Sequence, residues 1–342
     1  MDVLAMVTQL WGTHQEHIEG RIQGWVRELS AGQDRIVAAR KQFHQWEPLR
    51  VYTSTSQAKK RGAPTFSLRY CGQEVGTLVL KNDGTLYVLI ATETQATNAR
   101  DFGVPIAMAG VFAWNSPRAK VFREHFKKHR LWQEPSSTIR EHHLESMIIR
   151  EMRRKTATKL GKTLAQIQPV LLYGMLPFQV PVPFSASRGI PELLPRGHGS
   201  IDILARRRGN DNRVRLSVWE LKRPGHIDQA VFQSYIYAVT LCHMLRSRSG
   251  EDWFKLFGFR GPLPGSLDVE SVVLLSDDMR SEYTAQAAKL RAHNAMAVNG
   301  DRIHQYVAYY DRHTLQLRSF EEPSPLSVKP GGVVPTCTSS SA

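Results

Sequence analysis

Two carboxylates and an amine, Asp202, Glu220 and Lys222, stand where neighbouring strands can bring them to one place. Side chains of an extended strand repeat every two residues, so Glu220 and Lys222 leave the same face. A hairpin turn brings Asp202 beside Glu220. Paired carboxylates suit Mg²⁺, a hard cation that prefers oxygen ligands and keeps several waters, with Mn²⁺ as a substitute. Such an ion acidifies water and offsets charge on a phosphoryl oxygen. A lysine beside it can orient the attacking water and stabilise the pentavalent transition state. Ordinary edge strands also carry Glu-x-Lys triplets. Here the triplet closes an apolar strand, and the helix behind it presents Gln233 and Tyr237, four apart and on one face.

The elements that must position these residues follow one another from Gly197 to Leu241. Ser200 to Arg207 alternates apolar and polar residues, and Gly209-Asn210-Asp211-Asn212 carries turn chemistry. Val214 to Leu221 is a second apolar-rich run, closed by Pro224-Gly225. From Ile227 onward Ala230, Val231, Tyr235, Ala238 and Leu241 recur at helical spacing. In order and spacing, Ile201-Asp202, Glu220-Leu221-Lys222 and Gln233-x-x-x-Tyr237 resemble the PD-(D/E)XK nuclease superfamily. The last element resembles the form found in RecB-type nuclease domains. Ile201 stands where the superfamily motif has proline, a departure that superfamily often tolerates. The resemblance spans roughly Ser136 to Asp277.

The resemblance implies an α/β fold with a restriction-endonuclease-like αβββαβ core and a mixed sheet. It implies that Asp202 and Glu220 hold the metal, that Lys222 acts on water and transition state, and that Gln233 and Tyr237 complete the catalytic set. Such domains commonly begin with a helix that gives a glutamate to the metal. The helix expected over Thr138 to Leu160 has an apolar stripe of Leu144, Ile148 and Met152 with Glu145 at its edge, and Glu145 looks like that residue. Glu141 is accounted for by the capping box Thr138-x-x-Glu141, and Glu151 is expected in solvent.

The net charge of +14 favours a polyanionic partner, nucleic acid before an anionic membrane. Between Arg150 and Lys162 six Lys/Arg face one Glu, so Arg150, Arg153, Arg154 and Lys155 are candidates for phosphate contacts. A solvated helix face would carry the same charges. Arg196 and His198, in the loop Ser185 to Gly199 that leads into Asp202, should hang near the site. There His198 either touches substrate or caps a turn. Cys71, Cys242 and Cys337 are too few and too scattered for a disulfide framework or a zinc site, which fits a reducing cytoplasm. Residues 1–12 lack the pattern of a signal peptide, and no run approaches a membrane span.

A chain of 342 residues has room for about two domains. An α+β accessory domain is expected over 1–135, the nuclease-like domain over 136–322 and a disordered tail over 323–342. From His14 to Trp46 the apolar positions Ile18, Ile22, Trp25, Val26, Leu29, Ile36 and Phe43 predict helix, divided near Ala31-Gly32. That stripe suits packing within its own domain and also admits pairing with a second copy, a homo-oligomer. Phe66–Tyr70, Val75–Leu80 and Leu86–Ile90 read as a β-meander. Lys120 to Arg130 reads as an amphipathic helix with Val121, Phe122 and Phe126 inward. Asp101-Phe102-Gly103 stands without the other kinase motifs and is read as coincidence. Val170 to Phe184 is expected as the first core strand of the second domain. Val269 to Leu275 reads as a buried strand, Glu282 to Ala295 as a helix, and Gln305–Tyr310 with Leu315–Phe320 as a closing hairpin.

These features lead to a metal-dependent nuclease, acting on DNA first, whose accessory-plus-nuclease layout is compatible with restriction or anti-phage defence. A non-catalytic nucleic-acid-binding protein on a degenerate nuclease fold would share the charge, though the complete Asp202, Glu220, Lys222 and Gln233 argue against it. An RNA- or junction-cleaving enzyme would share the site.

Overall fold

The computed structural model of the chain describes residues 2–43, 48–53, 65–90, 97, 101–105, 108–129, 141–153, 166–194, 197–209, 213–222, 227–293, 297–298 and 300–321. The chain opens with three helices: α1 (Val3–Thr13), α2 (Gln15–Ala31) and α3 (Gln33–Phe43). The break at Gly32 falls where Ala31-Gly32 predicts it. Helix α1 was not anticipated; Asp2 caps it through Ala5 N–H, and Val3, Val7 and Trp11 make its buried stripe.

Five strands follow: β1 (Leu49–Thr53), β2 (Thr65–Tyr70), β3 (Gln73–Leu80), β4 (Leu86–Ile90) and β5 (Gly110–Ala113). They pair antiparallel in the order β5-β4-β3-β2-β1, so the meander gains a strand at each edge. Helix α4 (Pro117–Lys128) and α3 cover one face, with Phe43, Leu68, Val88, Phe122 and Phe126 in the shared core. Val121, expected inward on α4, is 62% exposed; Ala119 takes the inner position one turn before Phe122. Phe102 stacks edge-on against Tyr70, a packing role for the Asp-Phe-Gly triplet.

The remaining elements are α5 (Glu141–Arg153), β6 (Ile167–Pro169), β7 (Leu176–Pro177), β8 (Val180–Val182), β9 (Phe184–Ser185), β10 (Glu192–Leu193), β11 (Gly199–Ile201), β12 (Ile203–Arg208), β13 (Val214–Leu221), α6 (Ile227–Leu245), α7 (Gly250–Leu256), β14 (Asp268–Ser276), α8 (Arg280–His293), β15 (Ala297–Val298), β16 (Asp301–Tyr310) and β17 (Leu317–Glu321). A seven-stranded mixed sheet runs β15-β16-β14-β13-β12-β6, with β17 on β16. Strands β6, β12 and β13 are antiparallel, whereas β14 and β16 run parallel to β13. The chain is therefore α/β, and this part reads helix, three antiparallel strands, helix, parallel strand. Central β13 and β14 are buried on both faces, which accounts for their apolar richness and for the unbroken run Val272–Leu275 in β14.

No continuous strand forms over Val170 to Phe184. Proline cannot donate to a ladder, and the stretch divides: β7 pairs parallel with β1 of the first sheet, while β8 pairs with β11. The sheet strand expected there lies earlier, at β6. The position after residue 135 is crossed twice. Strand β7 joins the N-terminal sheet, and α1 and α2 share one core with α6, so Ile18, Ile22 and Leu29 belong to the same buried cluster as Ala238 and Leu241. The apolar stripe of α2 is thus filled within the chain. Helix α6 is buried nearly all round, as a helix set between a sheet and other helices must be.

Two of the close approaches that glycine permits bear on the pocket and its helix. A Cβ on Gly199 would lie 1.8 Å from Phe184 O, and one on Gly72, at φ +76°, would lie 1.7 Å from His142 O. The second contact presses the β2–β3 turn onto α5. Cys71 and Cys242 are buried free thiols; Cys337 and the expected tail lie outside the described residues. No described helix is long and apolar enough to cross a membrane.

Candidate active site

Strand β13 ends in Trp219-Glu220-Leu221, and Lys222 follows it. The two-residue repeat puts Leu216, Val218 and Glu220 on the face that packs against α6 and Trp219 and Leu221 on the other. Glu220 is 1% exposed. Lys222 Nζ donates to Glu220 Oε1 at 2.7 Å and to Glu141 Oε1 at 3.1 Å.

Asp202 occupies the bend between β11 and β12, where the chain leaves β8 for β13. Its Oδ2 accepts from Leu221 N–H at 3.0 Å. The carboxylate so takes the place of a ladder carbonyl, and that substitution ends the β12–β13 pairing. Glu141, Asp202 and Glu220 each offer an oxygen, and those oxygens lie within 4.8 Å of one another.

The electrostatics follow from three acids in one half-buried pocket. Burial, with smaller help from Glu145 and Glu141, pushes Asp202 up to about 7 against the Leu221 hydrogen bond and the Lys222 charge. Burial and the Asp202 charge push Glu220 well above the carboxylate range. Burial alone would depress the Lys222 ammonium, but Glu220 outweighs it and holds the amine above its ordinary value. Lys222 therefore stays charged and is the local counter-ion.

Helix α6 supplies the opposite wall. Gln233 Nε2 donates to Tyr237 Oη at 3.3 Å, as the four-residue spacing predicts. Burial and then Glu220 raise the Tyr237 phenol to about 12, so it remains protonated. Two buried oxygens, Glu220 Oε2 and Gln233 Oε1, have no hydrogen-bond partner among the described residues.

The pocket gathers all five expected catalytic residues, with Glu145 and His198 in its wall. Glu145 is buried beside His142, whose Nδ1 lies 3.5 Å from Glu145 Oε2. The third acid of the close cluster is Glu141, one turn earlier, so the residue read as a helix cap is part of the site. Thr138, its supposed capping partner, lies outside the described residues. The spacing of Glu141 and Glu145, one turn apart on one helix face, is the signal that could have paired them. Glu151 is half-buried rather than solvated. His198 Nδ1 stands 2.9 Å from Gly199 O, and its ring meets Trp25 edge-on at 5.7 Å, so it packs against its own backbone and α2 and also borders the pocket. Arg150 is half-buried on α5; the Arg153 side chain, Arg154, Lys155 and Arg196 lie outside the described residues. Gln179, Ser185 and Ser187 are wall residues that the sequence reading did not single out.

Compared with protein-family models, curated proteins and solved structures, the chain has no match.

Proposed function

We propose that the protein is a divalent-metal-dependent nuclease of the PD-(D/E)XK type that hydrolyses phosphodiester bonds of nucleic acid, DNA in the first place. The observation that carries the reading is the close set of Glu141, Asp202 and Glu220 with Lys222 hydrogen-bonded inside it. The residues fit Mg²⁺ or Mn²⁺: the donors are hard carboxylate oxygens, and Glu220 Oε2 is a buried carboxyl oxygen with no hydrogen-bond partner among the described residues. Glu141, Asp202 and Glu220 would hold the ion, with Glu145 also in the pocket wall. When bound, the cation supplies Lewis-acid stabilisation of phosphoryl charge and acidifies water.

The chain's own groups do the rest. Lys222 keeps its proton and faces the pocket, so it offers fixed positive charge and hydrogen-bond donors to an incoming water and to phosphoryl oxygens. Gln233 and Tyr237 present an amide oxygen and a neutral phenol on the α6 side. A net charge of +14 supports a polyanionic substrate. The order of α5, three antiparallel strands, α6 and parallel β14 supports the restriction-endonuclease-like core. A role in restriction or anti-phage defence, and a cytoplasmic setting, belong to the same proposal.

Labelled linear DNA, circular DNA, single-stranded DNA and RNA, incubated with and without Mg²⁺, test the reading. Cleavage that needs the ion and disappears in Lys222→Ala, with nucleic-acid binding retained, is the expected result. Full cleavage in EDTA, or wild-type rates in a folded Lys222→Ala protein, would overturn it. Binding with no cleavage of any substrate would mark a degenerate, non-catalytic member.

A further inference from the structure

We propose that Gln179 is a substrate-binding residue whose side-chain amide hydrogen-bonds the nucleic-acid strand that enters the pocket. The inference deepens the nuclease reading and rests on it.

Four described residues other than glycine have positive φ: Cys71 at 46°, Tyr173 at 51°, Gln179 at 53° and Leu315 at 57°. Turns account for three. Cys71 and Gly72 are the two central residues of the β2–β3 hairpin, closed by the Tyr70–Gln73 pair. Tyr173 and Gly174 form a second such turn, closed by the bridge between Leu172 and Met175. Two-residue hairpins of this hand demand positive φ at both centres. Leu315 closes the loop before β17, with its N–H on Asp311 O at 2.8 Å. Gln179 has no comparable turn; it is the single residue between Phe178 and β8.

Its neighbours hold it there from both sides. Phe178 N–H donates to Thr53 O at 2.7 Å, and the Arg69 guanidinium lies 3.6 Å from the Phe178 ring centroid. On the other side Val180 pairs with Ile201, next to Asp202. Gln179 thus spans the crossing from β7 in the N-terminal sheet to β8, whose partner β11 leads into Asp202. A glycine would take this backbone with less strain, since a left-handed residue with a Cβ costs about 1 kcal/mol or more. Among the described residues nothing repays glutamine for that cost: its amide makes no hydrogen bond, yet it lines the pocket. A strained backbone at a pocket-lining residue whose polar side chain is unused by the fold is the pattern expected of a ligand contact. The primary amide both donates and accepts, so it suits the mixed donors and acceptors of a nucleotide.

The test compares wild type with Gln179→Gly and Gln179→Ala. Affinity is read by fluorescence anisotropy on a labelled DNA oligonucleotide, single-stranded and duplex, and on the matching RNA, with Ca²⁺ in place of Mg²⁺. Both substitutions should weaken binding by about 5- to 20-fold, the loss of one or two hydrogen bonds, and should raise KM in Mg²⁺ while kcat stays within about twofold. Gln179→Gly should also melt about 2 °C higher than wild type through release of the strain. Unchanged affinity in both variants overturns the proposal. A lower melting temperature for Gln179→Gly does so too, because it would show the side chain supporting the fold. If wild type cleaves and these variants bind normally, only this inference falls; if wild type binds none of the three nucleic acids, the nuclease reading falls with it.

Discussion

Replacing Asp202 by asparagine should stabilise the metal-free protein at about pH 8 and leave it unchanged near pH 4. In the folded chain burial holds the Asp202 carboxyl near 7, against 3.8 for an unburied one. Below 3.8 the carboxyl carries its proton in both folded and unfolded chains, so it costs nothing. As pH rises, the unfolded chain ionises first while the folded one retains the proton, and stability falls until the folded carboxyl has itself ionised. At about 1.4 kcal/mol per pH unit the full cost above pH 7 is about 4 kcal/mol. Asparagine has no proton to lose, and its amide oxygen can still accept from Leu221 N–H. Lys222 loses part of its counter-charge, so the net gain should be about 2–3 kcal/mol, or about 4–6 °C in Tm for a chain of this size. Thermal melts of both proteins in EDTA across this range give the measurement. Mg²⁺ in hundredfold excess over its Kd should lift wild type by about 2.7 kcal/mol and close the gap. A Tm difference independent of pH would refute the buried-carboxyl argument, and one indifferent to Mg²⁺ would refute Asp202 as a ligand.

Two further outcomes follow from the same geometry. Glu141→Gln should weaken Mg²⁺ binding by about tenfold or more in calorimetry, whereas Glu145→Gln should weaken it less, because Glu141 stands inside the close oxygen cluster; the reverse order would return Glu145 to the primary role. Glu270→Ala should cost about 3–5 kcal/mol in urea unfolding, since it strands the buried Arg207 guanidinium that Glu270 holds on the opposite face of the sheet. A loss under about 1 kcal/mol would mean that Arg207 finds water instead.

The candidate set of Glu220, Lys222, Gln233 and Tyr237 was legible because each of its parts obeys a local period. Glu220 and Lys222 are two apart on a strand whose bounds, Val214–Leu221, follow from its apolar run; Gln233 and Tyr237 are four apart on a helix. Asp202 was placed on a strand, but it sits where two strands meet, and that bend depends on Leu221, a residue 19 positions away. Glu141 was hidden by a competing local explanation, since Thr138-x-x-Glu141 satisfies a capping rule. The contact with Lys222, 81 positions away, and the shared oxygen cluster with Asp202 and Glu220 assign it to the site. Strand β1 escaped notice because all five of its residues are buried and it shows no alternation. The use of α2 was equally out of reach: its stripe is plain in the sequence, but periodicity does not say which core will receive it.

The contact between the β2–β3 turn and His142 has a wider meaning. Gly72 bears on the backbone of the residue immediately after Glu141, so the position of one acid is set by a hairpin nearly seventy residues upstream in the chain. The N-terminal sheet is then a lever as well as a neighbour. Whatever shifts it, a bound partner or a bulkier residue at the turn, would tilt the start of α5 and change how many carboxylates meet at Lys222. Under the proposed nuclease reading, the readiness of the site would then be governed from a hairpin that is not part of the pocket wall.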